Sequence, residues 1–295
     1  MRDFVHRIKS YLLHYTWDLA IAIPKDNEEG FLLPFSRYRV LKNPYKNKWF
    51  ADPFILSYDG SKAELLVEEF DNSVNRGRIA LLTIDIPKAL IEDCKIVLDI
   101  ETHLSYPAIY REGNRIYVVP ENADSGSLNL YLWNPLDKQL ELIHPIIHEP
   151  LADATILQTN AGFFLFTTSL PSPNGEDLSV YFSSEQYNGY EKQSIIRFSS
   201  NIARMAGAFF IDDLGRTIRP AQDCNGDYGK KIVFQSVSIK DSSFSFQDVF
   251  VLEPRGLNYA GLHTFNKYNG LQVIDIKRYD YPLFYQTKNI LKGVK

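Results

Sequence analysis

The chain has 295 residues, 45% of them hydrophobic and 23% charged, with a formal net charge of −4. That length and balance suit one large all-β domain, and the mild acidic excess favours neither nucleic acid nor an anionic membrane as the bulk partner. The two cysteines, Cys94 and Cys224, lie far apart and outside any CxxC pair; reduced thiols are expected, with neither a disulfide framework nor a zinc site.

The first element predicted is an N-terminal helical segment over residues 1–16, in which residues 2–15 form a short amphipathic helix. It docks on the rest of the chain or makes a peripheral membrane contact. The apolar stretch that follows is interrupted by His14, Trp17 and Asp18 and closed by no small-residue cleavage site. Neither a signal peptide nor a transmembrane segment is therefore expected, and the predicted location is cytoplasmic.

From residue 17 to 295 a single domain is predicted, since no Gly-, Ser- or Pro-rich linker divides it. Strand-like runs dominate in chain order: AELLVEEF, RIALLTIDI, RIYVVPE, LNLYLWN, GFFLFTTS, LSVYFSS, KKIVFQSVSI, FQDVFVLE and LQVIDIKRY. The best helical period is the short IPKALIEDCKI. Turn signals at Asp59-Gly60, Glu112-Gly113-Asn114, Asn160-Ala161-Gly162, Asp213-Leu214-Gly215 and Tyr268-Asn269-Gly270 punctuate the strands. Each turn follows a short strand with a similar opening and leads into a more aromatic one. Such units begin at Asp52, Tyr106, Asp153, Ala206 and Gly261. A repeat of roughly 50 residues matches a propeller blade of about four strands, so the predicted fold is all-β, a five-bladed β-propeller. A β-sandwich would explain the strands but not the recurring opening.

In a propeller the innermost strands border a central channel, so the openings of the repeats are where chemistry is expected. They carry Trp49 and Asp52, His103 and Tyr106, Asp153, Arg204, and His263; the second strands add Glu68, Glu69, Glu121, Arg219, Gln222 and Asp223. Paired carboxylates are what sugar transfer needs, one to deprotonate the incoming oxygen and another to protonate a poor leaving group. Asp52, Asp153, Glu121 and Glu69 are the catalytic candidates. Strand alternation allows only one of Glu68 and Glu69 to face the channel, and Glu69 is chosen. Arg204, Arg219 and Arg76 fit phosphate recognition by planar guanidinium groups. His103, His263, Gln222 and Asp223 suit sugar hydroxyls or phosphate, and Trp49, Tyr106 and Tyr228 suit ring stacking. Each also has a plain structural reading: a turn aspartate bound to backbone, an arginine neutralising an acid, a core aromatic. No ligand spacing announces a metal, no cofactor is expected, and a divalent cation is not indicated.

The motifs WFADPFI, VEEF, NRGRIAL, HLSYPAIY, IYVVPEN, DATIL, ARMAGAFF, RPAQDCNGDYG and GLHTF follow one another in this order. Together with the opening TWDLAIA they resemble the propeller domain of plant glucosamine inositolphosphorylceramide transferases and bacterial relatives, over about Trp17 to Asp275. That family is in turn similar to the five-bladed glycosidases of family 43, which use an aspartate base, a second aspartate that tunes pKa and a glutamate acid. The resemblance implies the first two roles for Asp52 and Asp153, with Glu121 or Glu69 as the acid. Three functions are compatible with it. The first is a glycosyltransferase that uses a nucleotide sugar on a glycan or lipid-linked acceptor in surface glycan or glycolipid biosynthesis. The second is a glycoside hydrolase. The third is a sugar-binding module that assists a partner biosynthetic enzyme.

Overall fold

The structure is a computed structural model that describes residues 14–25, 32–240, 243–256 and 258–281. Most of the helical segment predicted over 1–16 lies outside these residues. Where the two overlap the expectation is corrected: Tyr15 and Thr16 already belong to strand β1 (Tyr15–Ala22). Half-buried Thr16 and Asp18 alternate with buried Trp17 and Leu19 in a period of two, and from Leu19 to Ala22 the strand is buried throughout.

Five antiparallel sheets form the propeller. After β1 and the short β2 (Arg39–Val40), blade one comprises β3 (Lys48–Tyr58), β4 (Lys62–Asp71), β5 (Arg76–Asp85) and β6 (Leu90–Leu98). Blade two is β7 (Ser105–Glu112), β8 (Arg115–Glu121), β9 (Leu128–Asn134) and β10 (Gln139–Ile147). Blade three is β11 (Leu151–Thr159), β12 (Gly162–Ser169), β13 (Asp177–Ser183) and β14 (Glu191–Arg197). Blade four is β15 (Phe210–Ile211), β16 (Thr217–Asp223), β17 (Lys231–Lys240) and β18 (Ser243–Leu252). Blade five takes β19 (Tyr259–Gly261), β20 (Phe265–Tyr268) and β21 (Leu271–Tyr279), then closes with β1 and β2 from the other end of the chain, β1 pairing β21 from Tyr15–Tyr279 to Ala22–Gln272. The run IPKALIEDCKI, read as helical, is a turn followed by β6: Pro87 sits in the turn, and the pairing of Ile84 with Ile91 makes the segment an outer strand.

Apolar side chains fill the space between blades. Phe54, Leu66, Tyr106, Val118, Phe166 and Val180 belong to one buried cluster, and Ile218, Phe234, Phe265 and Ile274 to another. Each such side chain withdrawn from water contributes about 1.5–3 kcal/mol before the entropy of ordering is counted.

The innermost strands share a defect that shapes the hub. The ladder slips between Ala51 and Phe54, between Ser105 and Ala108, and between Ala152 and Thr155. At these bulges Asp52, Tyr106 and Asp153 adopt φ of 50°, 44° and 49°. The left-handed region is unfavourable for residues with a side chain, and such strain collects at functional sites. Blade four solves the same problem with Gly207 at φ 134°, where an added Cβ would lie 1.9 Å from the Phe265 carbonyl oxygen.

Candidate functional site

A bulge turns a backbone N–H out of its ladder, and a buried N–H needs an acceptor. Here most of the acceptors come from neighbouring blades. Asp275 Oδ2 accepts the Asp52 N–H at 3.0 Å, Asp52 Oδ2 accepts the Tyr106 N–H at 3.1 Å, and Glu121 Oε2 accepts the Asp153 N–H at 3.0 Å. The Gly207 N–H reaches Tyr106 Oη at 2.9 Å, and Asp275 Oδ1 takes both the His263 and Thr264 N–H groups at 2.9 Å. The hub is thus laced by side chains, several of them acidic, and its carboxylates have a structural duty whatever else they do.

Above this floor opens a cavity of about 640 Å³ lined by residues that include Trp17, Trp49, Asp52, Glu68, Phe70, His103, Glu121, Arg204, Tyr228 and His263. Trp49 and Phe70 lie parallel, with ring centroids 4.7 Å apart. Trp17, also on the lining, stacks on His263 at 4.0 Å, and Tyr228 meets the same imidazole edge-on.

Of the residues singled out in the sequence, Asp52, Glu121, His103, Arg204, Tyr228 and His263 line the cavity. Asp153 stands directly behind: its carboxylate receives Arg204 Nε and Nη2 and Gln222 Nε2, while Arg204 Nη2 also reaches Glu121 at 3.2 Å. Tyr106 is wholly buried between blades and bonds Thr155 through its hydroxyl.

Four candidates lie elsewhere. Glu69 points to the opposite face from Glu68 and is clamped by Lys48 at 2.7 Å and Arg78 at 3.0 Å, so the alternation argument holds but the chosen partner is reversed. Arg76 pairs with Asp99 at the surface. Arg219 is fully buried, sandwiched between Phe198 and Phe246, and donates to Gln235 and to the Ala203 and Ile202 carbonyls. Asp223 binds its own turn at Asn225 and faces Lys231. Sequence reasoning missed Asp275, Thr264 and Trp17. The signal for Asp275 was present, since a lone acid within LQVIDIKRY can be buried only with several donors.

The carboxyls differ sharply in ionisation. Burial pushes Asp52 up to about 6, offset in part by His263. Burial would also raise Asp153, but Arg204 and its hydrogen bonds hold it below the usual range. Glu121 is driven well above its ordinary value by burial, Arg204 notwithstanding. Glu68 is driven well above as well, by burial and then by Asp52, Glu121, Asp275 and Asp153. Burial opposes charging of His263, yet Asp275 and Asp52 raise it, and its Nδ1 lies 2.7 Å from Asp275. Among the described residues Asp52, His263 and Asp275 are the one trio with metal-ligand atoms mutually within 4.8 Å. The oxygens of both acids already accept N–H and hydroxyl bonds within the hub.

The family model described as glucosamine inositolphosphorylceramide transferase 1, N-terminal, matches residues 37–281. The chain belongs to this family. Glucosamine inositolphosphorylceramide transferase 1 of Oryza sativa subsp. japonica is 31% identical over 197 residues, covering 64% of this chain and 26% of that protein. Its counterpart in Arabidopsis thaliana is 30% identical over 202 residues, with 65% and 26% covered. The chain therefore spans about a quarter of the length of the curated relatives it matches. Among solved structures, a family 43 β-xylosidase/α-arabinofuranosidase from a compost microbial metagenome superposes with a TM-score of 0.53 at 12% identity, covering 75% of this chain and 83% of that one. An endo-1,4-β-xylanase from Bacteroides thetaiotaomicron gives a TM-score of 0.51 at 13% identity, with 70% and 77% covered. At such identities the likeness of this chain to these two enzymes is one of fold. Among the described residues no helix is long and apolar enough to cross a membrane.

Proposed function

We propose that this chain is a carbohydrate-active protein of glycan or glycolipid assembly, and that its central cavity holds a sugar ring during glycosyl transfer from an activated sugar. The observation that carries this reading is the cavity itself: Glu68 on its wall is driven to a higher pKa and Asp153 directly behind it to a lower one, and the rings of Trp17, Trp49, Phe70 and Tyr228 complete the lining. Aromatic faces suit the apolar face of a sugar, and polar floor groups suit its hydroxyls. Asp52 is the group that takes the proton of the attacking hydroxyl, because it borders the cavity and ionises near neutrality. The names of the relatives, transferases of an inositolphosphorylceramide, favour a glycolipid acceptor.

The arginines support a narrower role for the cavity than the sequence suggested. Arg204 alone of the three candidates borders it, and its guanidinium is already committed to Asp153 and Glu121. The diphosphate of a nucleotide sugar therefore lies outside the cavity or on a partner enzyme, and the cavity takes the sugar. The test is calorimetric titration with a panel of nucleotide sugars, free nucleotides and neutral oligosaccharides. A sugar-dependent signal that weakens at least tenfold, about 1.4 kcal/mol, in Trp49→Ala is expected; indifference to every sugar sinks the reading. A second reading, hydrolysis, is favoured by two acids on one cavity with separated pKa values, Glu68 driven well above its ordinary value and Asp52 at about 6. Release of reducing sugar that stops in Asp52→Asn would select it. Binding without turnover of any kind would leave a sugar-binding module.

A further inference from the structure

Glu68 sits on β4, 6% exposed, with its carboxyl on the cavity wall. It takes part in none of the hydrogen bonds found among the described residues, and its one ion-pair contact is a long 3.4 Å approach from His103 Nε2. Every other acid of the hub is satisfied by backbone or by a cation.

The reason lies in Gly77. Its N–H donates to His103 Nδ1 at 2.9 Å, so that nitrogen carries a lone pair and the ring's own proton sits on Nε2, toward Glu68. Burial further lowers the imidazole's affinity for a second proton. Glu68 thus faces a neutral histidine. A Cβ on Gly77 would lie 2.4 Å from the Leu104 carbonyl oxygen, 2.7 Å from His103 Cε1 and 2.8 Å from Glu68 Oε1. Three chain segments therefore close around a position that admits only glycine, and the NRGR motif owes its glycine to this contact. The result is a carboxyl that is buried, uncompensated and open to a ligand.

We propose that Glu68 is the proton donor of the cavity, a catalytic residue positioned by His103 and Gly77. The inference rests on the second, hydrolytic reading above for its substrate, a glycoside whose departing oxygen needs a proton, though not for the state of the carboxyl. When the bond from the anomeric carbon to the departing oxygen breaks, its electron pair remains on that oxygen, which takes the Glu68 proton. An acceptor hydroxyl or water forms the new bond to carbon and releases its own proton to Asp52. Glu68 is then recharged, and Asp52 discharged, through solvent.

Infrared difference spectra of the wild type and Glu68→Gln at pH 7 test the carboxyl directly. A protonated-carboxyl band present in the wild type and missing in the variant is expected; its absence overturns the proposal. Turnover of methyl and para-nitrophenyl glycosides tests the role. Glutamine keeps the shape and a hydrogen-bond donor but has no proton to give, so binding by tryptophan fluorescence should stay within a few-fold. Turnover of the methyl glycosides should fall on the order of 10²–10⁴-fold. The para-nitrophenyl glycosides, whose leaving group needs no acid, should lose much less. Equal losses on both, or none on either, overturn the proposal. His103→Asn should move the alkaline limb of the pH–rate profile, which a merely structural histidine would leave in place. Should no sugar bind the wild type while the infrared band is present, the functional reading fails and the proton-bearing carboxyl stands.

Discussion

The two walls of the cavity are made from the same kinds of residue and treat them in opposite ways. On the side of blades two to four, Arg204, Asp153, Gln222 and Glu121 bind one another so fully that little is left for a ligand. On the side of blade one, Glu68 and His103 face the cavity with a single long contact between them. Both walls are buried and both carry acids, so burial and charge alone do not mark chemistry. What separates them is saturation. A satisfied buried network stiffens a fold, whereas an unsatisfied group stores the capacity to bind or to exchange a proton.

The strongest way to break this comparison is to unbalance the saturated wall. Arg204→Ala leaves Asp153 charged and buried without its cation, at an expected cost of about 3–5 kcal/mol. Urea denaturation measures it. A loss below about 1 kcal/mol would mean that this wall is not structural.

The open wall should respond in the other direction. In the folded state burial, and then the neighbouring acids, push the Glu68 carboxyl well above its ordinary value of 4.5. Between that value and the raised folded one, the folded chain binds a proton that the unfolded chain has released, so stability falls as pH rises through this window. Glu68→Gln removes the titration. The melting temperature of the variant should match the wild type near pH 4 and exceed it progressively toward pH 8. A constant offset at all pH values would show that Glu68 titrates normally.

The smallest effect sharpens the boundary of the site. Arg76 pairs with Asp99 where both side chains are partly exposed, and Arg76→Ala should cost less than about 1 kcal/mol. Sugar affinity measured by calorimetry should be unchanged. A clear loss would return Arg76 to the site from which its position removes it.

Much of this was legible in the chain before the structure. The five openings, with ADP, SYP, ADAT, AGA and HTF at comparable places, give away both the blade count and the hub, and the first three coincide with the bulges of β3, β7 and β11. The two catalytic aspartate candidates follow from the same repeats. Orientation was harder. Glu68 and Glu69 are equivalent until one notices that Arg78 pairs across from Glu69 and claims it, a register fact that depends on where β5 begins. The arginines misled for a related reason. A guanidinium in a motif looks like a phosphate clamp, yet Arg219 is buried deeply enough for its pKa to drop to about 9, between two phenyl rings. Residues contributed by distant strands, such as Thr264 bonding Asp52, carry no local signature.

The closing of blade five by β1 has a consequence for how the site comes into being. Trp17 and Asp275, both needed around His263, sit on strands that are synthesised at opposite ends of the described chain and meet only when the ring shuts. Until then Asp52 has no acceptor for its amide and His263 no aromatic lid. Loss of β1 removes the Trp17 face over His263, and loss of β21 removes both the acceptor for the Asp52 amide and the partner of the imidazole. Ring closure is thus a precondition of the site and not only of the fold.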